Sequence, residues 1–230
     1  MVRRPVAAHR PIRGVTLLLA LSCAASAGAL SLPDDSTSQG RALLDRLRQG
    51  WESRQSLTAR FEQTQQFAGF DEPLLSQGRL RILRPFYFDV LFDPPHRQRQ
   101  VCDGAYVWTY MEEQRQVFKA PLAPEATRSA DLLEWALAGA TANLAQPDPT
   151  MGPGGIRLEL TPGSQLPLQE LRVWVRGGKG ELLGYEAVDT EGNRTRMRVL
   201  EIRSARGLKP EDFRFVPPTG VEVIDLGAKP

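Results

Sequence analysis

Two cysteines and two histidines in 230 residues leave little with which to build a metal centre, a disulfide or a thiol–imidazole pair. One of each, Cys23 and His9, falls within the first 27 residues, which read as an export signal. The remainder keeps Cys102 and His96. A lone thiol forms no internal disulfide, and one histidine with one cysteine does not assemble a zinc site. No apolar run reaches the roughly 20 residues that a membrane-spanning helix needs. G-x-S-x-G and G-x-x-x-x-G-K-[ST] are also missing, which removes the nucleophile elbow and the phosphate loop. Gly177-Gly178-Lys179-Gly180 is read as a hairpin turn, and His96 as a solvated turn residue after Pro94-Pro95.

A net excess of positive charge is lacking once the amino terminus is set aside. Arg3, Arg4, Arg10 and Arg13 precede the short apolar stretch from Gly14 to Ser22, and Ala25-Ser26-Ala27 fits the small-residue cleavage rule. Removing those four arginines from 29 basic residues leaves 25 against 27 acids, a net of −2. A nucleic-acid partner, which calls for a basic face, is therefore not expected. Cys23 follows Ala20-Leu21-Ser22, a partial match to an acylated lipoprotein signal with Ala20 where leucine is usual. Cleavage after Ala27 is the preferred reading. The expected organisation is a cleaved signal over 1–27, a flexible segment over 28–36 and one domain over 37–230.

What is present is a pattern of many short strands. Leu43, Leu44, Leu47 and Trp51 recur at helical spacing between Thr37 and Ser53, so a helix packed on a core is expected there. Alternation then dominates, from Leu57-Ala59-Phe61 onward. Asp103-Gly104 marks a hairpin between Gln100 and Tyr110, further strands are expected over 116–119, 156–160, 171–175, 183–188 and 194–202, and the end over 213–224 is interrupted by Pro217-Pro218. The tract from Arg128 to Ala145 is apolar on most sides and is expected to be a second helical segment facing protein or ligand. The fold class is mainly β with helices, in one domain without repeats.

The most informative stretch is Gly78 to Phe92. Read with period two, Leu80, Ile82, Arg84, Phe86, Phe88, Val90 and Phe92 share one face if the strand keeps register through Pro85. Six are large and apolar; Arg84 is the exception. Buried, its guanidinium would need carboxylates or carbonyls opposite it. A bulge at Pro85 would instead turn it outward. The pattern leaves both open.

Phe61-Glu62-Gln63-Thr64, then Gly78, Arg84-Pro85, Phe88, Pro95, Asp103-Gly104, Trp108 and Tyr110, in that order and spacing, resemble the LolA family of periplasmic lipoprotein carriers. Phe213-Arg214-Phe215-Val216-Pro217-Pro218-Thr219-Gly220-Val221 is similar to the closing segment of that family. The resemblance implies an incomplete, strongly curved antiparallel β-barrel with a helical lid over an apolar cavity. It also implies acylated lipoproteins as cargo, received from an inner-membrane lipoprotein-releasing ABC transporter and handed to an outer-membrane lipoprotein receptor. In this chain Leu80, Ile82, Phe86, Phe88, Val90, Phe92, Trp108, Leu133, Trp135 and Leu137 are the expected ligand-facing residues. The resemblance makes Arg84 the latch that holds the lid, here 128–145, by hydrogen bonds to lid backbone. No cofactor and no catalysis are expected, and the protein is expected to be monomeric. Two alternatives stand beside this: an acylated outer-membrane receptor or envelope sensor of the same fold, and an exported hydrolase using carboxylates gathered by the fold.

Overall fold

A computed structural model of the protein describes residues 35–95, 97–122, 137, 139–163 and 167–227. Its framework is one twelve-stranded sheet in the order β12-β6-β5-β4-β3-β2-β1-β11-β10-β9-β8-β7. The strands are β1 (Ser56–Gln66), β2 (Leu74–Leu83), β3 (Tyr87–Phe92), β4 (Gln98–Asp103), β5 (Tyr106–Met111) and β6 (Gln116–Pro121). They continue with β7 (Thr141–Pro147), β8 (Gly155–Thr161), β9 (Leu168–Arg176), β10 (Glu181–Asp189), β11 (Arg194–Ser204) and β12 (Glu222–Asp225). All pairings are antiparallel except β12 with β6. The hydrogen-bonded order has two ends, β12 and β7, so a closed barrel is not formed among the described residues.

Helix α1 (Asp35–Glu52) forms where the leucine stripe requires it. Leu43, Leu44, Leu47 and Trp51 are 2–5% exposed and pack on the inner face of the sheet. Small residues allow the closest approaches. A Cβ on Gly40 would stand 3.2 Å from the Cβ of Ala142 on β7, and Gly180, at φ +62°, presses the β9–β10 turn against Arg46 and Leu47. The helix ends at the β2–β3 turn, six steps from β7 in the sheet order. In a flat sheet those strands would lie about 29 Å apart. Gly40 to Trp51 covers about 16 Å of helix. The inward curl of the sheet and the length of the Arg84 side chain make up the difference.

Two expectations are corrected. Gly78 to Phe92 is a hairpin and not one strand: β2 and β3 pair Leu83 with Tyr87 across the turn Arg84-Pro85-Phe86. The apolar face survives because that turn has an odd number of residues. Ile82 meets Phe88, Leu80 meets Val90, and Gly78 meets Phe92, all on one side. Secondly, the tract expected to be helical through Ala145 is strand β7 from Thr141 on. Leu137 is helical, but Gly139 takes φ +72°, the left-handed conformation in which helices end. The earlier part, 123–136, lies outside the described residues.

Gly78 has a packing role on this face. Phe61 lies over it and meets Phe92 edge-on, with ring centroids 5.5 Å apart. A Cβ at Gly78 would come within 2.6 Å of the Leu91 carbonyl and 2.7 Å of the Phe61 ring. Gly78→Ala is expected to lower stability by about 1–3 kcal/mol, the usual cost of overpacking. A denaturant midpoint equal to that of the wild type would show that Phe61 gives way freely.

Candidate functional site

The inner face is built in cross-strand rows. Leu57, Ile82, Phe88, Cys102 and Val107 form one, and Ala59, Leu80, Val90, Gln100 and Thr109 the next. The first row lies wholly in the cluster that also takes in the α1 leucines, Leu137, Ala140 and the inner residues of β7–β9. Cys102 is fully buried, and burial, with the Asp103 charge adding to it, pushes its thiol up to about 11. Such a thiol stays protonated at neutral pH and is no nucleophile. Burial likewise pushes the Tyr185 hydroxyl up to about 12.

Of the expected ligand-facing residues, Leu80, Ile82, Phe88, Val90 and Leu137 join this cluster, and Phe92 shares the face. Phe86 sits half-buried in the β2–β3 turn. Leu133 and Trp135 lie outside the described residues. Trp108 pairs with Val101 and faces the opposite side, where Phe215 packs on it at 5.6 Å between ring centroids. Its indole donates to Asp103 Oδ2 at 2.7 Å. Trp108 is outer-face core because the closing segment Leu208–Val221 covers β2–β6 from outside.

Arg84 points inward along the hairpin end. Its Nε donates to the Arg54 carbonyl at 3.0 Å and its Nη2 to the Trp51 carbonyl at 3.2 Å. The Arg84 amide donates to Gln55 O, and Gln55 Nε2 donates back to Arg84 O. A cation here meets the exposed carbonyls and the negative end of the α1 dipole. Among the described residues this grip falls on the end of α1; most of the lid expected over 128–145 lies outside them. Sequence reasoning missed a second arginine. Arg48 on α1 sends Nη2 to the carbonyls of Leu137 and Ala140, both at 2.6 Å. Its only sequence cue is its place beside Leu47, at the edge of the apolar stripe.

The outer face handles charge differently. Asp89 is 6% exposed and held by Arg99 at 2.9 and 3.1 Å and by Arg81, whose Nη2 also reaches the Asp212 carbonyl. Burial acts to raise the Asp89 carboxyl, but hydrogen bonds from Arg99 and Arg81 and their charges outweigh it, so it lies below the ordinary value. A groove of about 400 Å³ opens beside this cluster, lined by Leu91, Tyr110, Phe215 and Val216 among others. No group of three or more His, Cys, Asp or Glu side chains that could hold a metal occurs among the described residues.

A curled sheet with an apolar inner face under a helix, held by arginine-to-carbonyl contacts, is the architecture of a binding protein. Residues 52–216 match the family described as outer membrane lipoprotein carrier protein LolA, and the chain belongs to that family. Its members are carriers, not enzymes. An outer-membrane lipoprotein carrier protein of Pseudomonas aeruginosa is 28% identical over 210 residues, covering 90% of this chain and 96% of that one. One from Methylibium petroleiphilum is 31% identical over 153 residues, covering 65% and 72%. The crystal structure of an uncharacterized conserved protein from Thermus thermophilus shares the fold, with TM-score 0.51, 16% identity and coverage of 80% of this chain and 97% of that one.

Removing the Asp89 charge tests the outer cluster. Asp89→Asn is expected to cost about 2 kcal/mol near neutral pH, the scale of hydrogen bonds to a charged group discounted for half-exposed arginines. The folded carboxyl titrates below the unfolded one, so its contribution is complete above the ordinary value of 3.8 and lost as pH falls through the depressed value. Urea midpoints of the two proteins should therefore converge in acid. A gap that persists in acid would contradict this.

Proposed function

We propose that the inner face receives the acyl chains of lipoproteins in the periplasm and that the arginine contacts at the end of α1 govern loading and release. In this reading an inner-membrane ABC transporter supplies the cargo and an outer-membrane receptor takes it. Residues 1–27 direct export. Leu80, Ile82, Phe88, Val90, Phe92 and Leu137 meet the chains, with Leu133 and Trp135 proposed to join them from the neighbouring segment.

The observation that carries the reading is Arg84. It ties α1 to the hairpin through guanidinium hydrogen bonds to the Arg54 and Trp51 carbonyls, directly beside an apolar face. Hydrogen bonds of a charged donor contribute about 1.5–3 kcal/mol each. A buried methylene contributes about 0.8 kcal/mol. A chain of about 15 methylenes contributes about 12 kcal/mol, more than the roughly 3–6 kcal/mol of these two hydrogen bonds, and its entry can lift α1. The latch in turn favours the empty, closed state and lowers the cost of release.

Arg84→Leu removes that bias. The variant is expected to accept lipoprotein from inner-membrane vesicles as wild type does and to pass it to outer membranes at least tenfold more slowly. Transfer at the wild-type rate would take Arg84 out of the mechanism.

A further inference from the structure

The β1–β2 hairpin turns through residues 67–73, and its tip leaves an aromatic ring in water. Phe70 is 70% exposed, more than any other large apolar side chain among the described residues, and Leu75 on the same hairpin is 65% exposed. The tip is held in this shape by its neighbours. The Phe70 amide donates to the Phe67 carbonyl at 3.1 Å, and Gln66 Nε2 donates to the Phe70 carbonyl. The Ala68 amide donates to Asn193 Oδ1 at 3.0 Å, across to the β10–β11 turn. Gly192, at φ +85°, brings that turn close: a Cβ there would stand 3.6 Å from the Cβ of Ala68.

A buried acid fixes the clamping turn in its place. Asp189 is 7% exposed; its Oδ1 accepts from the amides of Glu191 and Asn193 at 2.9 Å, and its Oδ2 from Asn193 Nδ2 at 2.8 Å. Asp189 thus orients Asn193, and Asn193 steadies the tip that bears Phe70.

The charge around the ring has one sign. Residues 67–73 and 190–193 carry three acids, Asp71, Glu72 and Glu191, and no lysine or arginine. All three acids are exposed, and none makes an ion pair among the described residues. Arg194, which follows the turn, is engaged by Glu186. A rigid aromatic side chain at a preorganised tip is suited to fill a pocket on another protein, because little order is lost on binding. The carboxylates beside it repel an anionic lipid surface and a second copy of the same tip, and they complement a basic rim.

We infer that the tip of the β1–β2 hairpin is a docking knob for a protein surface that offers Phe70 an apolar pocket rimmed by lysine or arginine. This rests on the carrier reading, in which membrane-bound proteins load and unload the chain, and it deepens that reading by naming where one of them holds on. The knob lies at the far end of β1 from the Arg84 contacts, about 33 Å along the strand. Docking and latching are therefore separable by mutation.

The test follows loading from inner-membrane vesicles and delivery to outer membranes for wild type, Phe70→Ser and the double variant Asp71→Asn/Glu72→Gln. Binding of diphenylhexatriene, a hydrocarbon, reads the inner face independently. Phe70→Ser is expected to slow at least one of the two exchanges about tenfold, with diphenylhexatriene binding and the denaturation midpoint unchanged. That exchange should also slow for wild type as salt is raised, since exposed charges are screened. The double variant should be slow already at low salt and should lose most of this dependence. Wild-type rates for Phe70→Ser in both exchanges overturn the proposal, as does a wild-type exchange that ignores salt; either leaves the carrier reading standing. Flotation of wild type with phosphatidylethanolamine–phosphatidylglycerol vesicles that Phe70→Ser abolishes would assign the tip to lipid and overturn it. So would a dimer of wild type that Phe70→Ser dissociates. Wild type that neither loads nor delivers brings down the carrier reading, and this proposal with it.

Discussion

The grip of Arg84 on the last carbonyls of α1 joins the long helix to the hairpin end of the sheet, and the dry inner face depends on that helix staying in place. Leu43, Leu44, Leu47 and Trp51 cover apolar rows that water would otherwise wet. A helix end offers unpaired carbonyls and partial negative charge, and a guanidinium meets both needs with fixed geometry. Arg48 extends the arrangement by gripping Leu137 and Ala140 from the same helix. Two arginines thus attach α1 at one end to the β2–β3 turn and midway to the approach to β7. Polar contacts of this kind are easier to break and remake than interdigitated leucines, which suits a part that must move.

The two faces of the sheet divide the work. The outer face is fixed: Asp89 and Glu186 are each held by two arginines, and the closing segment seats Phe213 and Phe215 over Leu83, Val101 and Val117. Arg81 lies over the Phe213 ring at 5.4 Å, so the segment is held by charge as well as by burial. The inner face has few directional contacts. Apolar side chains without polar constraints can repack around a guest at small cost, whereas a saturated ion-pair network cannot. A rigid exterior around an adaptable interior lets ligands enter without unravelling the sheet.

Much of this was legible in the sequence, and the failures have physical causes. The α1 stripe, the Asp103-Gly104 hairpin and the inward set Leu80, Ile82, Phe88 and Val90 follow from periodicity alone. The β2–β3 turn escaped notice because a three-residue turn keeps parity, so a hairpin and a continuous strand look alike in pattern. Trp108 was placed inward because aromatic alternation does not say which face is which; only the closing segment, more than a hundred residues away, decides it. Residues 141–145 read as helix because Ala and Leu fit either period, though Gly139 marks the break. Arg48 escapes such a reading: its place at the edge of the stripe is visible, but the Leu137 and Ala140 carbonyls it meets belong to tertiary structure.

The central claim is that acyl chains lodge on the inner face and not in the outer groove beside Tyr110 and Phe215. Photo-crosslinking with a lipopeptide that carries a diazirine along its acyl chain, followed by peptide mapping, separates the two directly. Adducts on β2, β3 and α1 residues such as Val90, Phe88 and Leu47 are the predicted result. Adducts confined to Leu91, Tyr110, Phe215 and Val216 would contradict the account.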